Sequence, residues 1–371
     1  MTPTDQIAAD SERWAAEGVI TAEQAATIRE RYTQAVSARL RLRAVQALAI
    51  LGAFVFGFGV ILFFSANWSE IPRFIRLLIL LAAIAGFYLG GYFLRERSKR
   101  YQELGHAFLV VGNVFFGASL FLVDQMYNIQ AGSVRSFLYW AAAALVTGIL
   151  LRSRPLATIA VITFGAFILG TLALHEEQLQ NGAEYIPVLA VMYGTALYGI
   201  GEGARRLLDR TGLSGPMRAA GVLLCLFGLL IFSFRVTFSG LSENGANIHD
   251  PLVEGFIVSF TVASALGVVL ILLQRRDEWF VFEALAVAAA TALPLLVLYR
   301  PVDRGLDVFD FRATEMKFAL AANAMIVLIT LCAILVGYQR QQLWLARTGI
   351  TFAVIELVIR FFDLEWTRLS R

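Results

Sequence analysis

What most limits the folds open to this chain is a succession of long apolar runs. Of its 371 residues 58% are hydrophobic and 16% charged, and the apolar ones gather into stretches near the roughly 20 residues that carry a helix across a bilayer core of about 30 Å. Eleven runs stand out, at 44–64, 73–94, 105–123, 136–151, 155–174, 186–203, 217–238, 252–273, 279–299, 316–338 and 343–362. Backbone groups inside hydrocarbon must be satisfied within the segment or within a closed barrel, so runs of this length read as helices. The expected fold is all-α, a polytopic transmembrane helix bundle of about eleven spans. The number is ten if the last run, which contains Glu356 and Arg360, does not cross. The bilayer is then the principal partner.

The first 43 residues are polar and charged, and read as a separate cytoplasmic helical hairpin preceding a multi-pass domain at 44–371. A first helix from about Thr4 to Glu17 should end at Gly18, a residue free to take the left-handed conformation that closes helices. Thr21 and Gln24 fit a capping box for a second helix. In that helix Ile28 and Tyr32, spaced i, i+4, form a stripe expected to pack on Trp14 and on Val19 or Ile20. Because the polar segment precedes the first apolar run, Ala44 to Phe64 is expected to be a retained anchor and not a cleaved signal.

Basic residues are retained on the cytoplasmic side of short loops. With the N-terminus inside, each inner segment holds at least two of them, such as Arg39, Arg41 and Arg43, Arg152 and Arg154, or Arg205, Arg206, Arg210 and Arg218. The outer loop with His175, Glu176, Glu177 and Glu184 holds none. Trp68, Trp140, Trp279, Trp344 and Trp366 fall near span ends, where headgroup anchoring is expected. Gly52, Gly59 and Phe63 of the first run echo Gly221, Gly228 and Phe232 of the seventh. Either a parallel repeat or the chance recurrence of such residues in apolar helices accounts for this.

Several functions are disfavoured. A net charge of +3 spread over short loops makes no patch for nucleic-acid phosphates. Cys225 and Cys332 lie inside apolar runs and read as packing residues. No HExxH or GxSxG motif is present, and three scattered histidines offer little acid–base chemistry, so neither an enzyme nor a cofactor is expected. His175, Glu176, His249, Asp250, Asp303, Asp307 and Asp310 occupy outer loops in no fixed ligand pattern and read as solvated. Gly199-Ile200-Gly201-Glu202-Gly203 lacks the strand and lysine of a phosphate loop. It and Gly86-x-x-x-Gly90 read as close helix contacts.

Polar groups at membrane depth are costly, which makes them the candidates for function. Asn113 and Asn323 either hydrogen-bond between helices or line a solute path. Glu202 and Glu283, near span ends, are expected to snorkel to headgroups. Glu356 and Arg360 stand i, i+4 with the acid first, the favourable order for an ion pair, and Asp363 follows three residues on. They form either a structural latch or a proton or ion relay. Asn67 and Trp68, together with Asp124, Gln125 and Tyr127, fall in outer loops, where they either converge on one outer vestibule or, for Trp68 and Tyr127, serve as interface anchors. Pro294 should kink its helix and free a carbonyl, whereas Pro187 is tolerated in a first turn.

The segment Trp14, Gly18, Val19, Ile20, Thr21, Gln24, Ile28 and Tyr32 resembles the start of a bacterial membrane-protein family classed as a domain of unknown function. Ser65-Ala66-Asn67-Trp68 with Ile71-Pro72 is similar to that family's small-Asn-Trp-x-x-Ile-Pro segment. Gln125-Met126-Tyr127 resembles its Gln-Ile-Tyr element, with Asp124 in place of glycine, and Arg360-Phe361-Phe362-Asp363 its Arg-Tyr-Phe-Asp ending. The resemblance implies a multi-pass helical protein with a cytoplasmic hairpin, and brings no activity.

Two functions from different classes follow. One is small-solute or ion transport, which needs a polar cavity between helices near mid-membrane, here expected to reach Asn113, Asn323 or Glu356. The other is a scaffold or sensor with a dry bundle, whose hairpin presents an exposed apolar stripe to a protein partner.

Overall fold

The computed structural model describes residues 3–28, 30, 71–97, 101–127, 132–174, 185–234, 251–274, 278–299 and 311–369. The chain divides into two compact units, residues 1–79 and 80–371.

In the first unit, helix α1 spans Pro3–Ala16. Gly18 closes it at φ +73°, where a side chain would be strained, and Val19 N–H returns to the Trp14 carbonyl at 2.9 Å. The capping box forms as read: Thr21 N–H donates to Gln24 Oε1 at 2.9 Å, and Gln24 N–H to Thr21 Oγ1 at 3.2 Å. Helix follows at 22–28. The expected stripe takes a different form. Ser11 and Ala25 are buried, while Trp14, Val19 and Ile28 are 38%, 69% and 37% exposed. Ile20, the alternative to Val19 in that stripe, is half-buried. Tyr32 and the first apolar run, 44–64, lie outside the described residues.

Helix α2, Arg73–Arg97, begins in the first unit and runs on into the second. There follow α3 (Gln102–Tyr127), α4 (Gly132–Leu151), α5 (Arg154–Leu174), α6 (Tyr185–Gly203), the single turn α7 (Arg205–Leu208), α8 (Ser214–Phe232), α9 (Pro251–Gln274), α10 (Phe280–Leu298), α11 (Phe311–Gln339) and α12 (Leu343–Leu369). Among the described residues there is no strand, and eight helices, α2–α5 and α8–α11, are long and apolar enough to cross a membrane.

Helix α6 organises the second unit. Most of its residues are buried, including Val188, Val191 and Met192 at 0%. It packs against α8, α9, α10 and α5. A helix enclosed by protein need not be apolar all round, which explains how α6 tolerates tyrosine, threonine and glutamate. Its glycines set the approach. A Cβ on Gly194 would lie 2.6 Å from Cys225 N, and one on Gly267 of α9 would lie 2.5 Å from the Gly199 carbonyl carbon. Gly199 and Gly203 are therefore close helix contacts, in the manner that membrane helices associate without a hydrophobic driving force. The Gly86/Gly90 reading requires correction. Among the described residues nothing lies within 4 Å of a Cβ at Gly86, and it is Gly91, one residue beyond Gly90, that meets Gly105 of α3.

Candidate functional site

At one end of the second unit four charged side chains from four parts of the chain converge in the interior. Glu202 ends α6, Glu283 lies in the first turn of α10, Arg218 lies in α8, and Arg340 follows α11. Arg340 grips Glu283 with both terminal nitrogens, Nη1 to Oε1 at 2.9 Å and Nη2 to Oε2 at 2.8 Å. Its Nη1 also reaches Glu202 Oε1 at 3.2 Å, while Arg218 Nη1 donates to Glu202 Oε2 at 2.7 Å. Tyr198 OH donates to Glu283 Oε1 at 2.8 Å, and the Arg218 guanidinium stacks 5.6 Å from the Trp344 ring centroid. Arg205 lies 3.5 Å from Glu202, and Gln274 donates to the Gly203 carbonyl. The four main side chains are at most 10% exposed. Charges removed from water survive only when paired and hydrogen-bonded, and here each carboxylate oxygen has a donor.

This overturns the snorkelling expected of Glu202 and Glu283. Both face the bundle interior, where Arg218 and Arg340 satisfy them. In the sequence Arg218 reads only as one of the loop charges.

Beside the network lies a partly open and largely apolar cavity of about 60 Å³, walled mainly by alanine, valine, isoleucine and leucine side chains and by Cys225 and Cys332, with Glu283, Tyr198 and Thr195 among its lining. Since a water needs roughly 10–15 Å³ of such space, it has room for a few water molecules. Thr195 Oγ1 lies 3.0 Å from Ser264 Oγ and accepts from Thr291 Oγ1 at 3.1 Å, so hydroxyls from α6, α9 and α10 join at the cavity's far side. Pro294, one turn beyond Thr291 in α10, removes the amide that would bond the Ala290 carbonyl, and Ala290 also lines the cavity.

The opposite end of α8 carries a second cluster. Arg360 Nε donates to Glu356 Oε1 at 3.0 Å, the pair that the i, i+4 spacing indicates. Arg360 Nη2 also donates to Ser233 Oγ, and its guanidinium lies 5.2 Å from the Phe234 ring centroid. Asn323 Nδ2 donates to the carbonyls of Ala319 at 2.7 Å and Ser233 at 3.4 Å. Thus Asn323, Glu356 and Arg360 come together around the end of α8. Glu356 is 6% exposed, and its Oε2 has no partner among the described residues. Asp363 continues α12, but its side chain lies outside the described residues.

The remaining candidates separate. Asn113, wholly buried, accepts from Trp140 Nε1 at 3.0 Å and donates to Tyr88 OH at 3.4 Å, tying α2, α3 and α4 together. Trp140 is consequently an interior hydrogen-bond donor resting on Gly117 and not a headgroup anchor. Asp124 accepts from Ser136 Oγ, while Gln125 and Tyr127 are exposed. Asn67, Trp68 and the loop residues His175, Glu176, His249, Asp250, Asp303, Asp307 and Asp310 lie outside the described residues. The expectation that a cavity between the helices would reach Asn113, Asn323 or Glu356 is not met, since neither this cavity nor the larger groove beside α4 and α5 is lined by any of them.

No curated protein and no solved structure shows significant similarity to the chain. Over residues 12–157, which run from α1 into the start of α5 and end before the buried charge network, the chain matches the model of a family described as a predicted membrane protein (DUF2157), a domain of unknown function.

Proposed function

We propose that this is a non-enzymatic protein of a bacterial cytoplasmic membrane that moves a small solute or ion, with its N-terminus in the cytoplasm and no cofactor. The observation that carries the reading is the cavity between α6, α8, α10 and α11, whose largely apolar lining includes Glu283, Tyr198 and Thr195. Transport sites lie between helices near mid-membrane and use interrupted helices, here α10 with Pro294. The Glu202–Arg218–Arg340–Glu283 network closes the cavity toward one end of α8. The Glu356–Arg360–Ser233 contacts hold the other end, so alternating release of the two would expose the cavity to each side in turn. The arginine-rich connections support a cytoplasmic position for the charge network.

The chain's two cysteines both line this cavity and provide the test. In a Cys332→Ser background, a small polar thiol reagent added to right-side-out or inverted vesicles should modify Cys225 from both sides. Protection from both sides overturns the reading. A second reading rests on the exposed Trp14, Val19 and Ile28 of the hairpin, a stripe suited to a protein partner in a scaffold or sensor. Under that reading, the Trp14→Ser/Ile28→Ser variant abolishes in-cell crosslinking of the hairpin and leaves Cys225 labelling unchanged.

A further inference from the structure

A second concavity in the same unit has a different chemistry. It measures about 390 Å³ and lies between α4, α5, α6 and α8, walled by Leu138, Ala141, Ala142, Ala157, Ala160 and Phe164, with Leu213 and Met217 at one end. Tyr193 also contributes to the wall, but its hydroxyl is spent on the Val161 carbonyl at 3.1 Å. The groove therefore offers no hydrogen bond to an occupant and admits a hydrocarbon chain. Ala142 is exposed at its edge.

The end of the groove at Leu213 is basic. Gly212, the residue before it, takes φ +78°, and a Cβ there would lie 3.2 Å from the Arg152 carbonyl. Two connections thus meet at the mouth, α4–α5 and α7–α8. They bring Arg152, Arg154 and Arg210, all exposed, to the same edge. No ion pair is formed by these three among the described residues, and the nearby Asp209 is engaged by Arg205 at 3.3 Å. Free arginines at the headgroup level beside an acyl-sized apolar groove match both halves of an anionic lipid, and basic pockets between helices on the cytoplasmic side are where such headgroups bind.

We infer that this groove is a binding site for one anionic glycerophospholipid of the bilayer, its acyl chain lying along Ala141, Ala157 and Ala160 and its phosphate at Arg152, Arg154 and Arg210. The site is separate from the proposed transport cavity, and its test does not depend on transport.

The test is native mass spectrometry of the full chain, freed of lipid and titrated with phosphatidylglycerol or phosphatidylcholine of the same acyl composition. The wild type should retain one phosphatidylglycerol at least tenfold more strongly than phosphatidylcholine. An Arg152→Gln/Arg154→Gln/Arg210→Gln variant should lose that preference, and Ala142→Phe, which obstructs the groove from its exposed edge, should weaken both lipids. A photo-crosslinker at position 142 should capture lipid. Equal retention of the two lipids by the wild type overturns the proposal. So does an unchanged preference in the triple variant, or capture at position 142 of residues 44–64 or of a second copy of the chain in place of lipid.

Discussion

The two ends of α8 hold charge in different ways. At the Arg218 end, two carboxylates and two guanidinium groups neutralise one another across sequence separations of 16, 57 and 138 residues. At the Ser233 end, one carboxylate and one guanidinium pair across a single helical turn, with one carboxylate oxygen left over. The distance between Arg218 and Ser233 along the helix is about 22 Å at 1.5 Å per residue, so the two clusters stand well apart along the bundle. The long-range network ties four segments together and is complete only when the fold is. The local pair can form on α12 alone, and engages the rest of the protein through Ser233 and Phe234. The first is a consequence of tertiary structure, whereas the second is a pre-formed piece of it.

If that contrast is right, the largest effect belongs to Arg340. Arg340→Gln takes away both arginine hydrogen bonds to Glu283 and one of those to Glu202, and breaking a buried pair by removing one partner costs about 3–5 kcal/mol. Thermal unfolding in detergent should show a pronounced loss of stability. Replacing all four network charges by Gln or Leu of similar volume should recover part of it, because no uncompensated charge then remains. A single-substitution loss no greater than that of an exposed arginine such as Arg152 would break the comparison. Close behind comes Gly194→Leu, which drives a side chain into the backbone at Cys225. Overpacking of that kind costs about 1–3 kcal/mol or more, and should appear as lost assembly of α6 on α8 in limited proteolysis.

A middle-sized effect sharpens the contrast from outside both clusters. Asn113→Ala removes the acceptor of the Trp140 indole and the donor to Tyr88. Interhelical hydrogen bonds of this sort in membranes are worth about 0.6 kcal/mol on average and up to about 1.7. The loss should therefore be measurable but well short of that for Arg340→Gln, with Trp140 fluorescence shifting as its partner goes.

How far the sequence reveals these features follows from the range of the interactions. Helix positions come from apolar runs, the capping box from a four-residue pattern, and Glu356–Arg360 from the 3.6-residue turn, since each is a local regularity. Glu202 and Glu283 each lie close to a span end, and a charge there has two solutions, headgroup or interior partner. Only the arrival of Arg218 and Arg340 decides between them, and nothing in the spacing of those residues announces it. Trp140 is misread for the same reason, because an indole near a span end suits a headgroup until Asn113 on another helix claims its N–H. The charged end of the lipid groove was equally hidden, for Arg152 and Arg210 become neighbours only through the turn at Gly212.

The smallest expected effect is the most discriminating. Glu356→Gln keeps the volume and keeps an oxygen to accept from Arg360 at the 3.0 Å contact, while removing a charge half of which has no partner. An unsatisfied buried polar group is destabilising by about 1–3 kcal/mol and more when charged, so turning that oxygen into a neutral amide nitrogen lowers its cost and offsets the weakened ion pair, and stability in detergent should change by less than about 1 kcal/mol. The matching Glu283→Gln substitution has no such offset, because both oxygens of that carboxylate hold donors. Measured side by side in the same detergent, the two conservative changes should differ in outcome although each removes one buried negative charge. Equal losses would mean that burial alone, and not the completeness of pairing, governs how this protein holds its charges.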